Sequence, residues 1–209
     1  MFYIASTRFN NATYDENLSY RKKSNEPVIY GTSIRIQSKY DIGALMFVVE
    51  MNNEENRIEG IGLIRNTLIY DKTHHIYANS DYNRYLYRGD YWIDRKTIVE
   101  KDAEIAEICD TVLFKGKSHM KRISGISVLT NQLFANWDFK LSILKEKIRC
   151  LFITFFQTQA QNNIINTNNL KNYAEMANEF EIIVPAKKRQ RKQITLQKNN
   201  DINTDKNNI

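Results

Sequence analysis

No run of about 18 apolar residues occurs anywhere in the chain, so nothing in it reads as a membrane-spanning helix. Cysteine is nearly absent. Cys109 and Cys150 are the two, each within an expected helix, too few for a disulfide framework and without the spacing of a zinc site. That scarcity fits an intracellular, reducing compartment. The opening MFYIASTRFNN lacks the basic start and long apolar stretch of a secretory leader. No internal repeat is present.

With 42% hydrophobic and 26% charged residues, the 209-residue chain has the composition of a folding, soluble protein. Its formal charge of +6 is unevenly spread. Residues 186–209 hold seven basic residues against Asp201 and Asp205, which leaves only +1 for residues 1–185. An anion site in the body must therefore be a local cluster.

FYIAS (2–6) reads as a short buried strand, followed by a polar, tyrosine-containing stretch to Pro27 that suggests a long loop or a partly helical excursion. VIYGTSIRI (28–36) alternates as a strand, with Gly31 a point for a bulge or close approach. ALMFVVEM (44–51) and RIEGIGLIRN (57–66) are apolar runs joined by the polar NNEEN and make a hairpin. HHIYA, YNRYLYRG and YWIDR supply further β-favouring segments, giving an expected antiparallel sheet of five or six strands. Gly60 and Gly62 share one strand face and leave a groove for a ligand or, by preference, a helix. In residues 96–114 the period changes: Ile98, Ile105, Ile108, Val112 and Leu113 fall near one side of a helix that Gly116 ends. GISVLT (125–130) returns as a strand. Residues 136–161 form a helix capped by Asn136 or Asp138, apolar nearly all round from Leu151 to Phe156, a surface for the core or for a protein partner. NNLKNYAEMANEF suggests a short last helix, and the chain beyond Lys187 has the composition of a disordered tail.

The stretch VLFKGKSHMKR (112–122) contains Gly116-Lys117-Ser118, the ending of a phosphate-binding P-loop. A P-loop needs a further glycine five residues earlier, so that backbone N–H groups can wrap the phosphates. Thr111 stands there, VLFK is bulky, and the preceding residues are helical, so a nucleotide site is not expected. What remains is a dense cluster of charge. Lys115, Lys117, Lys121 and Arg122, with His119 among them, suit a loop that contacts phosphates without reading bases. A solvated turn whose lysines pair with the acidic helix before it is the open alternative.

Tyr82, Tyr85, Tyr87, Tyr91 and Trp92 are interleaved with Arg84, Arg88 and Arg95. Rings beside guanidinium groups can stack an exposed base, and Arg84, Tyr85, Tyr87 and Trp92 are the candidates for such a surface. The same tyrosines would equally serve to close a small barrel. Lys187, Lys188, Arg189, Arg191 and Lys192 form a basic run suited to non-specific nucleic-acid affinity, nuclear import or solubility. His74 and His75 point to opposite faces of an extended chain, and no metal site is expected. No nucleophile or acid–base pair carries a recognisable signature, so neither a catalytic site nor a cofactor is expected.

FYIAS, MFVVEM and IEGIGLIRN together are similar to the small β-barrels of the PUA-like class, which includes EVE, ASCH and YTH domains. The resemblance implies an α+β fold: a small antiparallel barrel with a crossing helix over residues 1–130, a helical segment over 131–185, and a disordered basic tail over 186–209. The longer string EMNNEENRIEGIGLIRN, YNRYLYRGDYWIDR and VLFKGKSHMKR looks like an uncharacterised family of large nucleocytoplasmic DNA viruses, which the Asn- and Ile-rich composition suits. It implies a viral protein of the host cytoplasm, nucleus or virion, with no established activity. The expected function is a non-enzymatic module binding DNA or RNA. The alternative is a structural or virion-associated interaction protein without specific nucleic-acid recognition, and an enzyme acting on nucleic acid through Lys117 and His119 ranks third.

Overall fold

A computed structural model describes residues 2–71 and 73–166, with side chains to residue 159. The chain runs β1 (Phe2–Phe9), α1 (Asn11–Ser24), β2 (Val28–Thr32), β3 (Leu45–Asn52), β4 (Arg57–Arg65), β5 (Tyr85–Gly89), β6 (Tyr91–Asp94), α2 (Arg95–Phe114), β7 (Ser127–Val128) and α3 (Leu141–Asn166), with 3-10 turns at 80–83 and 131–134. Five strands form one sheet in the order β6-β4-β3-β1-β7, and β2 pairs with β5 in a second. The fold is α+β.

All eight residues of β3 are buried, because the strand is covered on both faces. Leu45, Phe47, Val49 and Met51 join the core under α2 and α3. Met46 and Val48 point the other way, into the core shared with β2, β5 and the chain around Ile76. The result is three layers rather than the closed antiparallel barrel expected from the sequence. The difference arises at α1. A helix between β1 and β3 lets the chain cross over and return in the same direction, and β1 pairs with β3 in parallel from Phe2↔Leu45 to Phe9↔Asn52.

α1 replaces most of the expected polar excursion. Asn10 caps it: its side chain accepts from Thr13 N at 2.8 Å, while Thr13 Oγ1 accepts from Asn10 N at 3.0 Å. Asn25, at φ 54°, ends it in the left-handed conformation that asparagine tolerates. Its buried residues are Asn17 and Arg21, one turn apart, so its inward face is polar. HHIYA is not a strand. Ile76 N and Tyr77 N donate to the side chain of Asn83, and His74 is enclosed between the Tyr20 hydroxyl at 2.7 Å and Asp71 at 2.9 Å. His75 is exposed on the opposite side.

α2 buries Ile98, Ile105, Ile108, Val112 and Leu113, the face its spacing predicts, although Asp102 interrupts it with φ −156° and ψ 88°. Gly116, at φ 77°, follows its end. α3 starts at Leu141, later than either expected cap, and Asn136 and Asp138 lie in the turns and irregular chain of residues 135–140 before it. Leu144, Ile148, Leu151 and Phe152 lie on one face and enter the same core as the sheet, with the Phe152 ring 4.8 Å from Phe47, edge-on. Of the apolar run expected for the core or for a partner, Leu151 and Phe152 are buried, while Ile153, Phe155 and Phe156 are half-buried at the core's margin. No helix among the described residues is long and apolar enough to cross a membrane. The expected last helix at 168–180 and the basic tail, with Lys187, Lys188, Arg189, Arg191 and Lys192, lie outside the described residues.

Candidate nucleic-acid interface

The carboxyl ends of β1 and β3 open onto a cleft of about 390 Å³. Open sheets with parallel strands collect ligands at this position. Its lining comes from six parts of the chain: Thr7 and Arg8 from β1, Asn10 from the cap of α1, Thr32 from β2, Asn53 after β3, Tyr82 from the 80–83 turn, and Ser124 with Gly125 before β7. Hydroxyl, amide and guanidinium groups dominate it. Gly31 sets one wall: a Cβ there would stand 2.3 Å from the Tyr82 carbonyl oxygen, so only glycine lets the turn approach this closely.

The basic loop meets the cleft at Ser124 and Gly125, and its cations do not themselves line it. Lys115, Lys117 and Arg122 are exposed, Lys121 and His119 are half-buried, and Met120 is buried and fixes the loop to the core through its N–H bond to Leu113 O at 2.8 Å. Arg8 donates to the Lys121 carbonyl at 3.0 Å and to Ser124 Oγ at 3.2 Å. Asn53 Nδ2 donates to the same carbonyl at 2.9 Å, and Lys121 Nζ donates to Asn56 Oδ1 at 2.6 Å. Four of the five carboxylates of α2 are paired elsewhere: Asp110 with Arg95, Asp102 and Glu104 with Lys147, and Glu100 with Lys96, while Glu107 is exposed. The loop cations are thus not neutralised by these paired acidic residues of the preceding helix. Residues 111–114 are the last turn of α2, with Val112 and Leu113 buried, so no phosphate cradle precedes Gly116-Lys117-Ser118.

The aromatic and arginine set divides in two. Arg84 is exposed between Tyr82, which lines the cleft, and Tyr85, which pairs with the lining residue Thr32. The Tyr85 ring lies beneath the Arg35 guanidinium, 5.0 Å from its centroid. Tyr87 and Trp92 do not belong to this surface. Tyr87 is 2% exposed and its hydroxyl accepts from Ile36 N at 3.0 Å. β5 packs between layers, which buries successive residues Leu86 and Tyr87 rather than one face only.

Trp92 belongs to a buried polar centre built on Glu50. Its indole N–H donates to Glu50 Oε2 at 3.0 Å, while the Tyr30 hydroxyl and Arg21 Nη2 donate to Oε1 at 2.7 and 2.5 Å. The Arg21 guanidinium covers the Trp92 and Tyr30 rings, 5.2 and 5.5 Å from their centroids. Burial opposes the charge on Arg21, but Glu50 outweighs it and raises the guanidinium pKa. Burial, then the Glu50 charge, pushes the Tyr30 hydroxyl well above its ordinary range. The groove made by Gly60 and Gly62 is filled here, by side chains and not by a helix: a Cβ on Gly60 would lie 2.7 Å from Trp92 Nε1, and one on Gly62 would lie 2.3 Å from the Tyr30 hydroxyl.

Sequence reasoning passed over Arg8, Asn10, Thr32 and Asn53, which lie far apart in the chain and individually look like ordinary turn residues. The cluster TRFNN, directly after a buried strand, was the available signal. No protein-family model, no curated protein and no solved structure matches the chain.

Proposed function

We propose that this protein is a non-enzymatic nucleic-acid-binding module that takes an unpaired segment of DNA or RNA across the cleft. Lys115, Lys117, Lys121 and Arg122 contact phosphates from one border. The neutral hydroxyl and amide groups of Thr7, Asn10 and Thr32 face a base, with the Tyr82 ring beside it. Arg84 and the Arg35–Tyr85 stack extend the surface, and the basic run 187–192 adds sequence-independent affinity. The observation that carries the reading is convergence: Ser124 and Gly125, at the end of the basic loop, and Tyr82, remote in sequence, meet at one polar cleft. Its volume suits a nucleotide-sized group, being in the lower part of the usual range for ligand pockets, roughly 300–1,000 Å³. A duplex, with its bases paired and stacked inward, has no group to insert. The sheet is open and mixed, so the reading rests on the cleft and not on the PUA-like resemblance.

The test is anisotropy titration of the full chain with labelled single-stranded and duplex DNA and RNA over a salt series. Unpaired strands are expected to bind more tightly than duplexes. Changing Lys117, Lys121 and Arg122 together to Ala is expected to reduce the slope of log affinity against log salt by roughly two to three units, about one per phosphate contact. Equal affinity for both forms, with an unaltered slope in the triple variant, would leave the cleft without this function.

A further inference from the structure

The four loop cations do not hold themselves in place. Between Met120, which is buried, and Ser124, the loop is fastened by three side chains from other parts of the chain. Arg8 and Asn53 both donate to one backbone carbonyl, that of Lys121, and Asn56 accepts from its ammonium. Asn53 and Asn56 belong to the β3–β4 turn, and Asn56 takes the left-handed conformation at φ 54°. Arg8 ends the strand β1 at the mouth of the cleft, and its second nitrogen reaches Ser124 Oγ. A carbonyl with two donors is saturated, and this one lies between Lys121 and Arg122, the last two cations of the stretch.

Resting on the nucleic-acid reading above, we infer that Arg8 and Asn53 are positioning residues: they clamp the Lys121 carbonyl and so aim Lys117, Lys121 and Arg122 together at the phosphates of the bound strand. Free lysine and arginine side chains lose considerable rotamer and backbone freedom when they engage a ligand, and a loop held beforehand loses less. The clamp makes an unusual demand on the data. Removing the neutral Asn53 side chain must lower the salt dependence of binding, although no charge has been removed. A neutral group that merely touched the ligand would change affinity and leave the salt slope alone.

The experiment compares the full chain with Asn53→Ala, and with Arg8→Lys, which keeps the charge but loses the fork that spans carbonyl and hydroxyl. Binding to a single-stranded oligonucleotide is measured over a salt series, and amide hydrogen exchange is followed over residues 117–124. Each variant is expected to bind more weakly, with a slope lower by roughly one to two units, and to exchange faster in the loop. In the triple Lys117, Lys121, Arg122→Ala background, Asn53→Ala is expected to cause no further fall in slope, since the pair would be coupled. Weaker binding at an unchanged slope would mean that Asn53 contacts the ligand itself, and the clamp would be wrong. A wild-type slope with wild-type affinity would overturn it as well. If Asn53→Ala does not fold, Arg8→Lys, altered at an exposed side chain, decides the matter alone. If the triple variant keeps the full slope, the nucleic-acid reading falls, and the clamp falls with it; if only the two clamp variants keep it, the nucleic-acid reading stands.

Discussion

Arg21 and Glu50 meet at 2.5 Å with side chains 6% and 0% exposed, one on a helix whose buried residues are both polar and the other within an apolar strand. The pair joins α1 to the central sheet. Tyr30 and Trp92 complete the carboxylate's hydrogen bonds, which is what makes a charge at that depth tolerable.

Arg21→Met leaves the Glu50 carboxylate buried without its counter-charge. The expected loss is about 3–5 kcal/mol of unfolding free energy, read from the midpoint of urea denaturation. The double variant Arg21→Met with Glu50→Gln should recover a large part of it, because the remaining amide oxygen still accepts from Tyr30 or Trp92.

Gly62→Val directs a branched side chain at the Tyr30 hydroxyl and the Val28 methyl groups. Overpacking of this kind costs about 1–3 kcal/mol. The chemical denaturation midpoint should fall accordingly, and near-ultraviolet circular dichroism should report a changed environment for Trp92, whose partner Glu50 is shared with Tyr30.

Phe152→Ala tests whether α3 belongs to the same cooperative unit as the sheet. Phe152 is fully buried against Phe47, and truncating it should cost about 3–5 kcal/mol. A single transition followed by both tryptophan fluorescence and far-ultraviolet circular dichroism is expected. Two separated transitions would mark the helix as independent.

Alkaline pH should unfold the protein. Burial, ahead of the nearby Glu50 charge, raises the pKa values of Tyr14 and Tyr30, and burial also raises that of Tyr77. The ordinary value is 10.0, so the unfolded chain releases these protons first. The stability they contribute is complete below about pH 10 and is lost as pH rises above it. Phenolate absorbance of these three should emerge together with loss of secondary structure. Gradual ionisation in a folded protein would contradict the burial.

The parts of this fold that the sequence revealed are those with an apolar period. The β3–β4 hairpin and the buried face of α2 were legible from Leu45–Met51, Ile58–Ile64 and the Ile98–Leu113 spacing, since burial of such faces dominates their placement. α1 was hidden because its inward residues are Asn17 and Arg21, and a polar face carries no hydrophobic period. The parallel pairing of β1 with β3 followed from that omission: without a crossover helix, successive strands are taken as antiparallel. Glu50 was the neglected sign, a lone charge within an apolar run that had to find a buried partner. At the cleft, the dense basic cluster was legible while its scattered neutral lining was not. Tyr87 and Trp92 were misplaced because both faces of β5 are covered and because the two glycines of β4 receive the indole and the phenol.

Ala5 and Ser6, made well before their partners, find their final neighbours in β3 and then in Val128 and Ser127. Pairings this far apart close late, since chain entropy opposes them until the intervening segments are arranged. During synthesis the central strands therefore wait, with the face destined for α3 uncovered until Leu144, Ile148 and Phe152 have been made. The nascent chain presents a long apolar sheet surface to its surroundings until α3 has been made, and the yield of native protein depends on how quickly that helix arrives relative to encounters with other chains.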